Sequence, residues 1–576
     1  MRPTFYETIR GSVLPERLFP VGAEVVTTRG ISTRGISVRG EGSPVVLARE
    51  LLSDNRISWV SVTDNPGGNP MLPADWLAGQ LNDSASQIVL HLACKDYNRA
   101  GLESNLWRYA AEGFDHILAL SGDLPVTGYP QLAAGVFDID SVELLAMMST
   151  MNRGLCVPSR RVGVTETLAP TRFYAGCVVN PFKKNENELV PQYYKLVRKI
   201  RAGAVWVLPQ LGYDMRKFNE VKQFLRLQEL DVPVIGNVYV LTKTVAKMFN
   251  TGKLAGCVVS DCLLAEVERY AAGHDKGKQY FRELAAKQLA VFRGLGFAAG
   301  YLGGLAKPEA FFEIIELANQ YSRDDWKQFY YEIQFSQPNE FYFFDKDFCD
   351  ADFLPNANLP DANLSNANLP DANLPNANLP ESKLPQPNPV LRKLKRTKNI
   401  TLFYRFSRLV HAVAFHRGNG LYPIFRRIFQ ILDKNKLSYC LRMLHWIEKE
   451  AKHTLYGCTD CGDCGLPDTA YLCPMNSCSK NMRNGPCGGS AKSRCEADDK
   501  DCIWTIAYDR LKYFGELDDF LNSPVLNYNA ALKGTSAWSN LYLDRDHSAA
   551  QQLSPSPNEP PTSASTTTTT ENASAT

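Results

Sequence analysis

The sequence predicts an α/β protein that begins with a (β/α)8 barrel, continues into a repeat-containing linker and ends with a small helical, cysteine-rich domain. Three observations predict this order. Short apolar runs alternate with amphipathic segments from residue 19 to about 321, a five-residue repeat fills residues 351–380, and eight of the fifteen cysteines lie between Cys458 and Cys502. With 576 residues, of which 44% are hydrophobic, the chain can bury the cores of several domains.

Eight apolar runs are expected to form a parallel sheet that is covered on both faces. Amphipathic crossovers between successive runs, over roughly 300 residues, are typical of a TIM barrel. An open doubly wound sheet is the alternative, but no G-x-G-x-x-G motif follows the first run. The predicted strands are Phe19–Val26, Trp59–Thr63, Ile88–Ala93, His116–Leu120, Phe173–Val179, Ala204–Leu208, Val234–Tyr239 and Phe297–Tyr301. The predicted helices include Val45–Leu52, Leu102–Glu112, Val142–Met148, Val190–Ile200, Phe218–Leu230 and Tyr280–Gly294.

The repeat A-N-L-P-[DN] resembles pentapeptide repeats and separates two domains. A proline in nearly every unit removes backbone donors that stacked coils would use, which favours a semi-rigid extended linker over a short solenoid. The predicted boundaries are 1–345 for the barrel, 346–389 for the linker, 390–535 for a basic helical segment with the cysteine-rich domain, and 536–576 for a disordered Ser/Thr/Pro tail.

The formal net charge of +2 excludes a protein that binds polyanions over its whole surface. Residues 390–454 nevertheless carry fifteen Lys or Arg and three Asp or Glu, interleaved with aromatic residues, as in a nucleic-acid or membrane-surface patch. Ile424, Phe425, Ile428, Phe429 and Leu432 recur at helical spacing, so we favour an amphipathic helix that packs its apolar stripe on a domain. We therefore expect no nucleic-acid partner.

The first ten residues lack the apolar core of a secretory signal, and no run of about 18 apolar residues occurs anywhere. We expect a cytoplasmic protein without a membrane span. In a reducing compartment, fifteen cysteines indicate a metal, cluster or catalytic role more than disulfides.

The C-x2-C-x2-C motif that starts at Cys458 predicts a metal centre, because closely spaced thiolates suit an iron–sulfur cluster or tetrahedral zinc. Glycines and prolines nearby, as in residues 484–489, allow backbone amides to turn towards sulfur, which favours iron–sulfur over zinc. Eight ligands would complete two sites of four. The predicted ligands are Cys458, Cys461, Cys464, Cys473, Cys478, Cys487, Cys495 and Cys502.

Polar residues at strand ends predict the active site, because the loops after barrel strands converge at one mouth. These residues are Glu24, Thr63, Asp64, His91, Asp123 and Gln210. Singly, each is as well explained by a core or capping role.

With their neighbours, these residues resemble the methylenetetrahydrofolate reductase family over residues 15 to 320. The resemblance rests on Ala23–Val26, His91–Asp96, Ile117–Asp123, Phe137–Val142, and Ala202–Ala204 leading into Pro209-Gln210. It implies a flavin-bearing oxidoreductase acting on CH–NH groups. Such an enzyme reduces 5,10-methylenetetrahydrofolate to 5-methyltetrahydrofolate in one-carbon and methionine metabolism.

The resemblance implies roles for single residues. Opening the folate ring needs an acid beside N10, and Glu24, held in an apolar strand, would stay protonated at neutral pH. Asp123 would lie between flavin and folate, and Gln210 would orient the folate. The implied flavin contacts are Thr63, His91, Ser121, Gly122, Asp123, Asp140, Asn180 and Lys199. FAD is expected and FMN is the alternative, because Asn180 and Ser121 depart from the family pattern.

Residues 449–508 resemble the C-terminal cysteine-rich domain that accompanies some bacterial reductases of this family, either fused or, in acetogens, as a separate subunit. The resemblance implies an iron–sulfur conduit fed by an electron-donor protein such as ferredoxin. Simpler enzymes take hydride directly from NAD(P)H, so both donors stay open. We expect a folate substrate and a homo-oligomer. The alternatives are a non-catalytic folate- or partner-binding scaffold with a metal-binding interaction domain, or another one-carbon enzyme that transfers methyl groups.

Overall fold

The computed structural model describes residues 2–11, 19–33, 36–37, 43–130, 132–159, 163–346, 393–418 and 420–552. Eight parallel strands form the predicted barrel, each within about two residues of its predicted bounds. The strands are β1 Val21–Val25, β2 Trp59–Val62, β3 Ile88–Ala93, β4 His116–Leu120, β5 Tyr174–Val179, β6 Trp206–Pro209, β7 Ile235–Tyr239 and β8 Ala299–Gly303. Two short antiparallel ribbons pair Ser32–Thr33 with Ile36–Ser37 and Cys156–Pro158 with Thr165–Thr167.

The sheet closes on itself. Its strand order is β6-β5-β4-β3-β2-β1-β8-β7, and every neighbouring pair is parallel. A single parallel bridge between Val207 and Val234 joins the two ends, where the backbone N–H of Val207 donates to Pro233 O at 2.9 Å. The barrel is therefore confirmed, and the open doubly wound sheet is excluded.

Helices surround the strands, and all six predicted helices are present. Side-chain caps fix where several of them begin. The Asp140 carboxylate, for example, accepts hydrogen bonds from the backbone N–H groups of Val142 and Glu143 at the start of the helix Ser141–Arg153. The helices of the barrel half are α1 Phe5–Ile9, α2 Pro44–Ser53, α3 Ala74–Gly79, α4 Arg99–Glu112, α5 Ser141–Arg153, α6 Glu186–Arg201, α7 Met215–Leu227, α8 Lys243–Asn250, α9 Asp261–Ala271, α10 Lys278–Gly294, α11 Pro308–Gln320 and α12 Asp325–Glu332.

The amino-terminal end of the barrel is filled by aromatic rings. Phe5, from α1, packs its ring 5.1 Å from Trp59 and 5.0 Å from Trp206. Each indole lies over a glycine, since a Cβ on Gly22 would stand 2.0 Å from Trp59 and one on Gly176 would stand 2.1 Å from Trp206. This filling leaves the carboxyl end of the barrel for a ligand.

The carboxyl-terminal part that the structure describes, residues 393–418 and 420–552, is named here the cysteine module. Its helices are α13 Leu402–Val410, α14 Tyr422–Lys434, α15 Ser438–Tyr456, α16 Pro474–Ser477, α17 Ile503–Phe514, α18 Leu517–Asn522, α19 Ala537–Tyr542 and α20 His547–Gln552. The repeat-containing linker and residues 553–576 lie outside the described residues.

Two predictions about the module need correction. Helices α19 and α20 lie inside the range 536–576 predicted as a disordered tail, because Tyr542 is buried at the centre of an aromatic cluster. The apolar stripe predicted on α14 is only partly buried. Phe429 packs 5.0 Å from Tyr542, whereas Ile424 and Ile428 are exposed.

The module docks on the barrel through α6. Helices α17 and α18 pack against α6, where the Tyr508 hydroxyl donates to Glu186 Oε1 at 2.5 Å and the Arg198 guanidinium donates to Phe520 O at 2.6 Å. Tyr508 and Phe520 belong to the same apolar core as the barrel. Within the described ranges, no helix combines the length and apolarity that crossing a bilayer would require.

Candidate functional site

A cavity of about 280 Å³ lies at the carboxyl ends of the strands. Barrel residues and residues of the cysteine module both line it. The structure brings nine of the ten predicted substrate, flavin and catalytic residues together here: Glu24, Thr63, His91, Ser121, Gly122, Asp123, Asn180, Lys199 and Gln210. Asp140 is the exception and does not line the cavity.

Glu24 projects from β1 into the cavity. Burial raises the pKa of its carboxyl to about 7, although a hydrogen bond from the Tyr301 hydroxyl to Oε2, at 3.4 Å, acts in the opposite direction. Gly303 leaves room for this carboxyl, because a Cβ there would stand 2.9 Å from Glu24 Oε1. Glu24 is therefore an acid that holds its proton near neutral pH.

His91 and Thr63 supply neutral polar groups beside Glu24. The Nε2 of His91 lies 2.7 Å from the Ser61 hydroxyl, and burial lowers the His91 pKa to about 4, so the imidazole stays neutral. The hydroxyl of Thr63 is buried without a partner among the described residues. Buried hydroxyls are normally hydrogen-bonded, so this one fits a bound ligand with polar ring atoms.

Asp123 follows β4 and is held by the backbone of a neighbouring loop. The N–H of Gly67 donates to Asp123 Oδ2 at 3.0 Å. The preceding residue, Gly122, has φ of +85°, and a Cβ there would stand 2.8 Å from the Lys95 side chain. Only glycine fits at this position, which fixes where Asp123 enters the cavity.

Two of the residues that line the cavity form hydrogen bonds with backbone groups of neighbouring barrel residues. Gln210 Oε1 accepts from the backbone N–H of Leu211 at 3.0 Å. The Lys199 ammonium donates to Val178 O at 2.7 Å, and burial lowers its pKa to about 8.

Asn180 and Asp140 both form hydrogen bonds with residues of the cysteine module. The Asn180 amide donates to Gly488 O at 3.0 Å, and Asp140 Oδ2 accepts from the Asn484 backbone N–H at 3.0 Å. Burial opposes the charge of Asp140, but Lys195 and backbone N–H groups more than offset this, so its pKa lies below the usual value. Asp140 is thus held by the module away from the cavity, whereas Asn180 lines the cavity while its amide donates to the module.

The module supplies cavity residues that sequence reasoning missed. The Lys480 ammonium donates to Gly122 O at 2.9 Å and forms an ion pair with the buried carboxylate of Glu496. Cys487 and its neighbouring glycines also line the cavity. The Gly-Pro-Cys-Gly-Gly motif was visible in the sequence, but its position over the barrel mouth was not. Within the barrel, Tyr301 also lines the cavity although the sequence pattern does not indicate it, and Asp64 lines it as its strand-end position predicts.

Four of the predicted metal ligands surround one small cavity. Cys458, Cys461, Cys464 and Cys473, the first quartet, line a cavity of about 30 Å³. Burial raises the pKa of the Cys473 thiol to about 11, and the neighbouring Cys464 and Cys461 add to this effect. These four cysteines are therefore neighbours around one cavity.

The other four cysteines, the second quartet, also lie near one another: Cys478, Cys487, Cys495 and Cys502. Burial raises the pKa of Cys487 to about 12, and Glu496, Cys478 and Cys502 contribute to this shift. Cys502 is the N-cap residue of α17, where burial raises the pKa of its thiol to about 11 and the nearby backbone N–H groups of Trp504 and Thr505 act in the opposite direction. Such N–H groups stabilise a thiolate ligand.

No described cysteine is in a disulfide. Among the described residues, no three His, Cys, Asp or Glu side chains are close enough to hold a single metal ion together. The cysteines within each quartet are thus neighbours, but their side chains do not converge on a single metal position.

The comparisons with known families agree with this architecture. Residues 46–317 match the family model described as methylenetetrahydrofolate reductase, and residues 440–529 match that described as methylene-tetrahydrofolate reductase C terminal. The chain belongs to the methylenetetrahydrofolate reductase family. It is an oxidoreductase of folate metabolism. Residues 354–384 match eight copies of the pentapeptide repeat, which confirms the repeat seen in the sequence.

Solved structures resemble the chain only distantly. An uncharacterized protein from Clostridium thermocellum that binds two copies of 5-methyl-5,6,7,8-tetrahydrofolic acid is 12% identical, with coverage of 55% of this chain and 97% of that one and a TM-score of 0.37. A long-chain alkane monooxygenase is 10% identical, with coverage of 53% and 91% and a TM-score of 0.31. No curated protein sequence matches the chain.

Proposed function

We propose that this member of the methylenetetrahydrofolate reductase family reduces 5,10-methylenetetrahydrofolate to 5-methyltetrahydrofolate on a flavin, with electrons supplied through the cysteine module. One observation carries the proposal: the Glu24 carboxyl faces the barrel cavity with a pKa of about 7. The reaction needs such an acid at neutral pH.

Glu24 has the role of proton donor. Protonation of N10 opens the five-membered ring of the substrate and leaves an iminium at N5. The Tyr301 hydroxyl orients the carboxyl, and Gly303 gives it space. A bound flavin would supply the hydride that the iminium carbon accepts, so the reaction as a whole consumes two electrons and two protons.

The other cavity residues would position the two ring systems. Thr63 and the neutral His91 would hydrogen-bond the flavin ring beside Ser121 and Gly122, and Asp123 would lie between flavin and pterin. Gln210 would hold the folate from the β6 side. The partnerless hydroxyl of Thr63 supports this assignment, because a polar ring atom would satisfy it.

The adenylate half of FAD is harder to place than the ring. The family resemblance assigns three residues to the flavin: Asp140, Asn180 and Lys199. However, Asp140 and Asn180 form hydrogen bonds with the module, and Lys199 donates one to Val178 O. We therefore favour FMN, which lacks the adenylate half and needs no contacts for it.

Each quartet would hold an iron–sulfur cluster, whose role is to carry single electrons. A zinc ion needs four ligands at about 2.0–2.3 Å from one point. Four thiols arranged around a void suit a multi-atom group. The second quartet is the nearer one to the flavin, because Cys487 lines the barrel cavity.

The experiment is a reduction and reoxidation cycle of the anaerobically purified protein. The flavin spectrum should bleach with dithionite and recover when methylenetetrahydrofolate is added, with 5-methyltetrahydrofolate formed in equal amount. A protein without flavin, or a reduced flavin that the folate fails to reoxidise, would contradict the proposal. Methyl transfer without a redox change would point to a different one-carbon enzyme.

A further inference from the structure

The first helices of the cysteine module expose an unusual amount of apolar surface. In the described part of the chain 27 large hydrophobic side chains are exposed, and sixteen of them lie between Leu402 and Leu455. A monomeric protein rarely exposes contiguous apolar surface of this extent unless the surface is used for binding. Helices α13, α14 and α15 therefore carry a candidate interaction surface.

The exposed side chains on α14 and α15 form one apolar stripe on each helix. They recur at steps of three or four residues, which places them on a single helical face. The residues of the two stripes are Ile424, Ile428 and Ile431 on α14, and Tyr439, Met443 and Trp446 on α15.

The opposite faces of α14 and α15 attach both helices to the module. Phe429 of α14 and Leu444 of α15 belong to one apolar cluster around Tyr542, and the two helices pack against each other. Each stripe lies on the side of its helix that points away from this cluster, so the two stripes face outward together. We call the stripes, with the cations beside them, the outer face.

Unpaired cations flank both stripes. Arg427, Lys434 and Arg442 are exposed, and each follows a stripe residue by three positions, which places it beside the stripe. Among the described residues, no carboxylate forms an ion pair with any of these three. The segment from α13 to α15 contains three acidic residues, of which Glu450 alone is exposed. The outer face is therefore basic as well as apolar.

This combination is typical of helices that lie in the interface of a lipid bilayer. Such helices insert an apolar face at the boundary of the acyl chains and hold Lys and Arg side chains among the headgroups. Tyr439 and Trp446 add amphipathic rings of the kind that is enriched at that depth. Anionic lipid attracts each cation near its surface, so charge and apolar burial would act together.

We propose that the outer face binds the surface of an anionic lipid bilayer, with α14 and α15 lying in the plane of the interface. The apolar stripes enter the acyl boundary, and Arg427, Lys434 and Arg442 contact lipid phosphates. The inference does not depend on the proposed function, because no residue of α14 or α15 lines the barrel cavity.

Three other occupants fit the outer face less well. In a two-fold symmetric dimer, the unpaired cations of one copy would lie opposite those of the other, at a cost. Nucleic acid would pair with the cations but offers no apolar phase for isoleucine side chains. An acidic protein shares the charge preference. However, a third exposed stripe, of Leu402, Phe406 and Leu409, runs along α13, and a fluid bilayer accepts several apolar ridges without a matching shape.

The test measures how the full-length protein, without folate, sediments with lipid vesicles. It should bind vesicles of equal parts phosphatidylcholine and phosphatidylglycerol, bind phosphatidylcholine alone about tenfold more weakly or less, and lose affinity as salt is added. Ile424→Glu/Ile428→Glu should abolish binding to the mixed vesicles. Arg427→Glu/Lys434→Glu should lower that affinity about tenfold or more.

A fluorescence measurement identifies the part of the protein that meets the lipid. Brominated acyl chains should quench the tryptophan emission of the bound protein, because Trp446 lies on the outer face and is 63% exposed. Trp446→Phe keeps an apolar ring, so this variant should still sediment with the mixed vesicles but lose most of the quenching.

The matched control is Lys243→Glu/Lys278→Glu, which reverses two exposed charges on the barrel and should bind as the wild type does. Circular dichroism and thermal unfolding show that each variant is folded. The inference is overturned if the wild type does not bind the mixed vesicles, if either folded outer-face double variant binds them as the wild type does, or if Trp446→Phe leaves the quenching unchanged. It is also overturned if Ile424→Glu/Ile428→Glu instead breaks an oligomer seen by light scattering while vesicle binding persists.

Discussion

The ammonium group of Lys480 donates a hydrogen bond to the carbonyl oxygen of Gly122 at 2.9 Å, which ties the cysteine module to the loop that carries Asp123. Lys480 is also paired with Glu496 from the same module. The reactive end of the barrel is thus built from two parts of the chain that are several hundred residues apart.

Glu24→Gln should abolish folate reduction and keep the flavin. The amide fills the same space but cannot give a proton to N10, so turnover should fall by about 10²–10⁴-fold. Methyltetrahydrofolate formation and the flavin spectrum measure the two effects, and Glu50→Gln, at an exposed position, is the control. Turnover near that of the control would remove Glu24 from its role.

The pH profile should follow the Glu24 proton. Burial raises its pKa to about 7, and the protonated form is the active one. Activity, as kcat/KM for the folate, should therefore be level below pH 7 and fall about tenfold per pH unit above it. A profile that rises through pH 7 would show that the carboxylate, not the acid, is required.

Cys461→Ser should release metal from the first quartet while the flavin stays bound. Cys461 lines the small thiol cavity and does not line the barrel cavity. The metal content should therefore fall while the flavin content stays the same. Iron, sulfide and zinc analysis gives the metal, and the visible spectrum gives the flavin. The control is Cys262→Ser, an exposed cysteine on α9. Unchanged metal content in Cys461→Ser would refute the ligand assignment.

The Lys480 and Glu496 pair should stabilise the docked module. Removing one partner leaves a buried charge, so Lys480→Met and Glu496→Gln should each lower the free energy of unfolding by about 3–5 kcal/mol. The double variant should lose less unfolding free energy than the sum of the two single losses, because no unpaired buried charge then remains. Chemical unfolding of the four proteins measures the coupling. Additive losses would mean that the two side chains act independently.

The extracted flavin should be FMN. Asn180 and Asp140, the residues that the family resemblance assigns to the flavin, form hydrogen bonds with Gly488 and Asn484 of the module, so we expect a cofactor that needs no adenylate contact from them. Chromatography of the flavin released by heat identifies it directly. FAD in stoichiometric amount would show that the module moves away from these residues when the cofactor binds.

The barrel could be predicted because its signals are local. Parallel strands covered on both faces are continuous apolar runs, so Ile88–Ala93 and His116–Leu120 were predicted with their observed bounds. Glu24 stood out as a carboxyl inside such a run. The closing bridge between Val207 and Val234 is visible only in the structure, because the sequence also allows an open doubly wound sheet.

The docking of the module could not be predicted, because nothing local encodes contacts between distant residues. Asn180 looked like a flavin ligand, and only the structure shows that its amide meets Gly488. The Gly-Pro-Cys-Gly-Gly motif was attributed to sulfur ligation alone, although it also covers the cavity. The end of the folded region was placed too early, since the composition after residue 536 hides the buried Tyr542.

The loop around Cys487 narrows the end of the barrel where the chemistry would take place. By covering part of this end, the loop would hinder dissolved oxygen from reaching a reduced cofactor and diverting its electrons to peroxide. A variant that loosens this loop should therefore lose activity in air before its turnover under argon falls.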